Sequence, residues 1–352
     1  MLHILPPEIL LIIAGLVPRK ARVRRVCRAL RLAADCSTHY VDVDLKSCPH
    51  LTDVVTTIKR LPHLQRLSVS LTDLDNNATA ALDALPCLLD AAPASCIETI
   101  SVTISPSVAH HSSVDTAAMA SALSKMSSLH TMHLSGINLG ALPTTLSKMP
   151  GLRCLTICSN ALKIQDTEAL GLALSAMTAL KSLDLSNNYI GADGAAALAP
   201  GLSAMPALKS LSLEENYLGA QGAAALAPAL SAMPALHFLN LRNNYLGAQG
   251  AAALAPALSA TTAMQSMNLS TNYIGAQGAA ALAPALSAMT AMQSLDLRDN
   301  HFRAWGAAEL VPAIRRMKKL HTIKMTRNKL DEQELAIFLQ SAGIDPRTCL
   351  VT

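Results

Sequence analysis

What this chain lacks narrows its function before any motif is considered. Aromatic residues make up 3% of its 352 residues, charged residues 15%, and the formal net charge is only +4. These values disfavour both a disordered tail-like protein and a nucleic-acid binder with broad basic surfaces. The apolar run from Ile9 to Val17 is too short to span a bilayer and follows Pro6-Pro7-Glu8 instead of a basic stretch, which argues against a membrane anchor or a signal peptide. Eight cysteines include no C-x-x-C pair. Cys154 and Cys158 share a strand face but stand about 13 Å apart at strand rise, beyond disulfide reach. Free thiols and an intracellular location are the expectation.

Chemistry-bearing patterns are missing as well. The sequence shows no phosphate loop, no nucleophile elbow, no zinc-ligand spacing and no grouped acids in a loop that would form a cleft. His110 and His111 adjoin in a tract expected to be a loop, Ser105 to Ser113, without a third ligand at suitable spacing. Neither a catalytic residue nor a cofactor nor a metal is assigned, and no enzyme is expected.

What is present is repetition. One 28-residue unit recurs seven times, beginning at Leu152, Leu180, Leu208, Leu236, Met264, Met292 and Leu320. The apolar fraction of 51% is inflated by its alanines. Within a unit, Leu183 and Leu185 are two apart and point to one face of a short strand, while Ser182, Asp184 and Ser186 point to the other. The ninth position is always asparagine, from Asn160 to Asn328, where the strand must turn and its backbone groups lose their strand partners. A short amide can satisfy those groups, and stacked copies can form a ladder. An Ala-rich segment follows, with apolar residues such as Ala195, Leu198 and Leu202 at helical spacing. Pro200, Pro228, Pro256, Pro284 and Pro312 fall inside it, so a short or broken helix is expected there. No unit can bury its leucines alone. Neighbours must stack into an α/β solenoid, with a curved parallel sheet inside and short helices outside.

The head of the unit, L-x-x-L-x-L-x-x-N-x-L, resembles the leucine-rich repeat, and the long repeats are similar to the ribonuclease-inhibitor class. Their Gly-Ala-Ala-Ala-Leu-Ala segments, from Gly194, Gly222, Gly250 and Gly278, also resemble repeats of F-box effectors that some bacteria inject into host cells. Residues 39–151 read as the same repeat with irregular connections, with strands near Val41–Leu45, Leu64–Val69, Ile97–Val102 and Leu129–Leu134. Leu142-Pro143-Thr144-Thr145-Leu146 leaves little room for a full helix. Residues 152–330 hold the regular repeats. In residues 331–352, Asp331 with Glu334 opens a capping helix to about Ala342, followed by a loose tail.

Residues 1–38 carry a second pattern. Pro6 and Pro7 start an apolar helix that Gly15 and Pro18 end, and a basic amphipathic helix follows from Arg19 to Arg31. Leu5-Pro6, Glu8-Ile9-Leu10 and Val26-Cys27-Arg28-Ala29-Leu30-Arg31 resemble an F-box, with Leu30 where that family carries tryptophan. The resemblance implies docking onto a Skp-family adaptor of a cullin-RING ubiquitin ligase through Leu5, Pro6, Ile9, Leu10, Ile13, Val26 and Cys27. The alternative reading of this segment is a helical cap over the first repeat.

The largest ordered surface the sequence offers is the polar face of the strands and the turn after them. Its candidate contact residues are Asp184, Glu214, Glu215, Phe238, Arg242, Asn268, Asp296, Arg298, Lys324 and Arg327. The tenth position adds a stripe of Tyr189, Tyr217, Tyr245 and Tyr273, four of the five tyrosines. Half-exposed rings at a strand end can stack, and they can also hydrogen-bond a partner. Trp305 is expected to pack at the helix turn. The expected partners are the adaptor and a protein client, not nucleic acid or a membrane. The alternative to a ligase subunit is a stand-alone inhibitor or scaffold.

Overall fold

The computed structural model describes residues 30–31, 40–44, 55, 58–59, 61, 63–71, 78–105, 114–344 and 350–351. It divides into two compact units, residues 1–160 and 161–352. In the first, strand β1 (Leu30–Arg31) runs antiparallel to β2 (Tyr40–Asp44), with Leu30 opposite Val43. Parallel pairing then continues through β3 (Arg66–Leu71), β4 (Thr99–Ile104), β5 (Thr131–Ser135) and β6 (Cys154–Cys158). The strands expected at these places form, each displaced by a residue or two. Helices α1 (Ala78–Ala91), α2 (Thr116–Ser124) and α3 (Leu142–Leu146) connect them. The single turn of α3 fits the short connection in which it lies. Leu30 and Arg31, expected to end a basic helix, are strand residues instead, because their backbone groups pair with β2.

The second unit is the regular array. Its strands are β7 (Ser182–Asp184), β8 (Ser210–Ser212), β9 (Phe238–Asn240), β10 (Ser266–Asn268), β11 (Ser294–Asp296) and β12 (Thr322–Lys324). All pair in parallel without slippage, so Ser182, Ser210, Phe238, Ser266, Ser294 and Thr322 stand in one row. A one-residue slip would turn every leucine outward, which fixes the register. The helices are α4 (Ile164–Ala176), α5 (Gly191–Ser203), α6 (Gly219–Ser231), α7 (Gly247–Ala260), α8 (Gly275–Ala288), α9 (Arg303–Arg316) and α10 (Glu332–Ala342). The core lies between the two layers, where Leu183, Leu185, Leu198 and Leu202 and their counterparts are buried.

The proline expectation is overturned: each of the five prolines lies inside one uninterrupted helix. All five are solvent-exposed, and so are the residues four before them, Ala196, Ala224, Ala252, Ala280 and Ala308. The carbonyl that each proline leaves without a partner is therefore on the wet side of its helix, where water can satisfy it and where helix bonds lengthen most readily. A proline facing the core would have left that carbonyl dry.

The asparagine ladder is formed. Asn216 N–H donates to Asn244 Oδ1 at 3.0 Å, and the same bond joins Asn188 to Asn216, Asn244 to Asn272, Asn272 to Asn300 and Asn300 to Asn328. The amides of Asn216, Asn244, Asn272, Asn300 and Asn328 also donate back to the preceding repeat, as Asn244 Nδ2 does to Leu213 O at 2.8 Å. These side chains are at most 1% exposed, so the ladder satisfies groups that no water reaches. At the far end Asp331 and Glu334 form the expected capping box of α10. The tail is less loose than expected: β13 (Leu350–Val351) pairs in parallel with β12 and covers its edge.

Candidate functional site

Two backbone features bring the candidate side chains together. Outward residues of each three-residue strand stand over their counterparts in the next repeat, and the strand then turns through two left-handed residues that flank the buried asparagine. Glu215, Asn243, Thr271, Asp299 and Arg327 precede it, and Tyr217, Tyr245, Tyr273, His301 and Lys329 follow it, all with φ between 54° and 59°. Left-handed backbone costs a side-chain-bearing residue about 1–2 kcal/mol. The ladder through the intervening asparagine offsets that cost and throws both neighbours outward.

The tyrosine rings stack. Centroid separations along Tyr189, Tyr217, Tyr245 and Tyr273 are 5.4, 5.5 and 5.7 Å, with interplanar angles of 10°, 14° and 18°. His301 closes the row edge-on to Tyr273 at 5.4 Å. The four tyrosines are 48–59% exposed. Each interior ring spends both faces on its neighbours and shows its edge and hydroxyl to solvent.

Beside the row lie the charged candidates. The guanidinium of Arg242 bonds Glu214 and lies 3.7 Å from Glu215. Asn240 Nδ2 donates to Glu214 Oε2 at 2.7 Å. Asp296 accepts from Arg298 Nε at 3.0 Å and from its Nη2 at 2.7 Å, and Lys324 Nζ lies 3.8 Å away. The hydrogen bond to Asp296 holds the Arg298 guanidinium above its ordinary value, against the lowering that burial brings. Asp296 itself is only 7% exposed, so on this face it positions two cations more than it offers itself. Asn268, half-buried on the same face, accepts from Ser270 N and Oγ at 3.0 and 2.7 Å.

These side chains enclose a polar recess of about 450 Å³, lined by Glu214, Arg242, Asn268, Ser270, Thr271, Asp296, Arg298, Asp299, Lys324, Thr326 and Arg327. It exists because the repeat beginning at Met264 carries short neutral side chains between neighbours that carry arginine. Ser270, Thr271, Asp299 and Thr326 line it without being among the candidate contact residues of the sequence. The contrast of short against long at one repeat position was the signal that could have found them.

Asp184 hydrogen-bonds Ser186 outside the recess, and Phe238 stands on the face 36% exposed. Leu5, Pro6, Ile9, Leu10, Ile13, Val26 and Cys27 lie outside the described residues, as do His110 and His111. Trp305 does not pack as expected; it is 81% exposed. Its position in α9 is held by Asp193, Gln221, Gln249 and Gln277 in the other repeats, which marks it as a solvent position. Cys87, Cys96 and Cys154 are free thiols. Among the described residues no group of histidines, cysteines and acids could hold a metal ion, and no helix is long and apolar enough to cross a membrane.

A family model described as leucine-rich repeat matches residues 176–199. No curated protein matches the chain. Among solved structures, an internalin, inlF, of Listeria monocytogenes is 16% identical with a TM-score of 0.55, over 95% of this chain and 96% of that one. The leucine-rich repeat-containing protein LegL7 of Legionella pneumophila is 20% identical with a TM-score of 0.47, over 78% of this chain and 87% of that one.

Proposed function

We propose that this leucine-rich-repeat solenoid is a non-catalytic recognition protein that holds a protein client on the strand face of residues 161–352. One observation carries the reading. The helices of successive repeats are nearly identical, while the side chains over the strands differ from repeat to repeat and surround a recess beside four half-exposed tyrosines. A scaffold held constant under a varied surface is suited to recognition. In such a face Tyr and Arg are the residue types that most often carry binding energy.

The F-box resemblance extends the proposal: residues 1–38 would tether the array to a Skp-family adaptor, and the transfer chemistry would belong to other subunits of the ligase. Co-purification with the adaptor tests it. Leu5→Ala with Pro6→Ala should abolish adaptor capture while leaving the melting temperature unchanged; retained capture removes the ligase reading. A second reading, a stand-alone binding array with an N-terminal cap, is favoured by the pairing of Leu30 and Arg31 with β2, which commits the end of the F-box-like motif to the sheet.

A further inference from the structure

Charge on the strand face is unevenly compensated. From Asp296 to Lys329 the strands and the turns after them carry four cations, Arg298, Lys324, Arg327 and Lys329, against two acids, Asp296 and Asp299. Further back along the face Arg242 has two carboxylates, Glu214 and Glu215, to itself. At the last repeat Lys324 has only a share of Asp296, which Arg298 already grips through two bonds. Arg327 and Lys329 are exposed and, among the described residues, have no ion pair. They project from left-handed positions in register with Thr271 and Asp299 and with the tyrosines, so the aromatic row ends in cations.

We propose that the client contributes an extended acidic peptide segment, running from repeat to repeat along the tyrosine row, with its carboxylates on Lys324, Arg327 and Lys329. This rests on the reading of the strand face as the client face. A chain rising about 3.3 Å per residue passes the four rings in about five residues. Its backbone groups then meet the outward phenol hydroxyls, which can both donate and accept. Charge complementarity selects the acidic sequence and speeds encounter. Nucleic acid fits less well, because interior rings stacked at 10–18° have no free face on which a base could lie. A bilayer fits less well too: β11 and β12 present the polar residues Ser294, Asp296, Thr322 and Lys324 on this face.

The test uses the full chain and a fluorescein-labelled peptide of ten glutamates, with a ten-lysine peptide and a labelled thymidine oligonucleotide as controls, read by anisotropy. The glutamate peptide should bind, weaken as salt rises, and lose at least about tenfold in affinity when Lys324, Arg327 and Lys329 are all changed to glutamate. Tyr217→Ala with Tyr245→Ala should weaken it about fivefold or less by removing hydroxyl contacts. Circular dichroism and melting confirm that each variant is folded. Binding that survives the charge reversal overturns the inference, as does an oligonucleotide that binds as tightly and competes. If the glutamate peptide fails but a client recovered by the intact protein is lost on changing Tyr217 and Tyr245, the acidic segment is refuted and the strand-face reading stands. If neither set of changes affects any client, both fall.

Discussion

A Cβ placed on Gly201 would lie 2.1 Å from the carbonyl oxygen of Gly171. The two glycines bring α4 and α5 closer than any side chain allows. Alanine holds the same repeat position at Ala229, Ala257, Ala285 and Ala313, so a consensus of the repeats would recommend Gly201→Ala. The structure gives the opposite outcome: the substitution should destabilise by about 1–3 kcal/mol through overpacking against backbone. Urea denaturation measures it, and an unchanged midpoint would show that the helices can separate at no cost.

Arg303 is a case where consensus and geometry agree. It occupies the left-handed position, φ 55°, that Gly191, Gly219, Gly247 and Gly275 hold in the other repeats. Glycine enters that region without the steric penalty. Arg303→Gly should stabilise by about 1 kcal/mol, partly offset by the wider unfolded ensemble of glycine. Thermal melting decides the sign.

The ladder should be intolerant of truncation. Asn244→Ala strips the acceptor from Asn216 N–H and the donor from Leu213 O, both beyond the reach of water. Each buried group left without a partner costs about 1–3 kcal/mol. A loss of about 3 kcal/mol or more is expected at equilibrium. Faster amide exchange at Asn216 would locate it.

Pro256 should be dispensable. Its replacement by alanine restores an N–H within α7 and removes a residue disfavoured in helix interiors by about 3 kcal/mol. Part of that gain is lost because the unfolded chain becomes freer. A net stabilisation of about 1–2 kcal/mol is expected, and a loss would mean that the proline is needed where it stands.

One pH effect has a definite sign. Asp90 accepts a hydrogen bond from Lys125, and that bond, then the attraction of the ammonium charge, holds its carboxyl below the usual aspartate value, while burial opposes. A depressed folded-state value means that the pair stabilises above the unfolded pKa and that the contribution disappears as pH falls through the folded one. Both side chains are more than half exposed, so the effect is small. Asp90→Asn should flatten the acid limb of the stability profile slightly and leave neutral-pH stability nearly unchanged.

The sequence alone determined the parts of this protein that recur. A constant period with alternation at its head assigned the strands and their register, since only one pairing puts every leucine inside. Asparagine at a fixed place announced a ladder, and four tyrosines at the same interval announced a stacked row. The capping box of α10 was readable from Asp331 and Glu334, because its partners are three residues apart. Tertiary structure decided whatever depends on which side of an element its neighbour covers. Proline is tolerated in α5 to α9 because it faces water. Asp296 is hidden and Trp305 bare because adjoining repeats cover one and leave the other. Gly201 must stay glycine because of a backbone thirty residues earlier. These are contacts between repeats, and a local pattern does not carry the distance to the next chain segment.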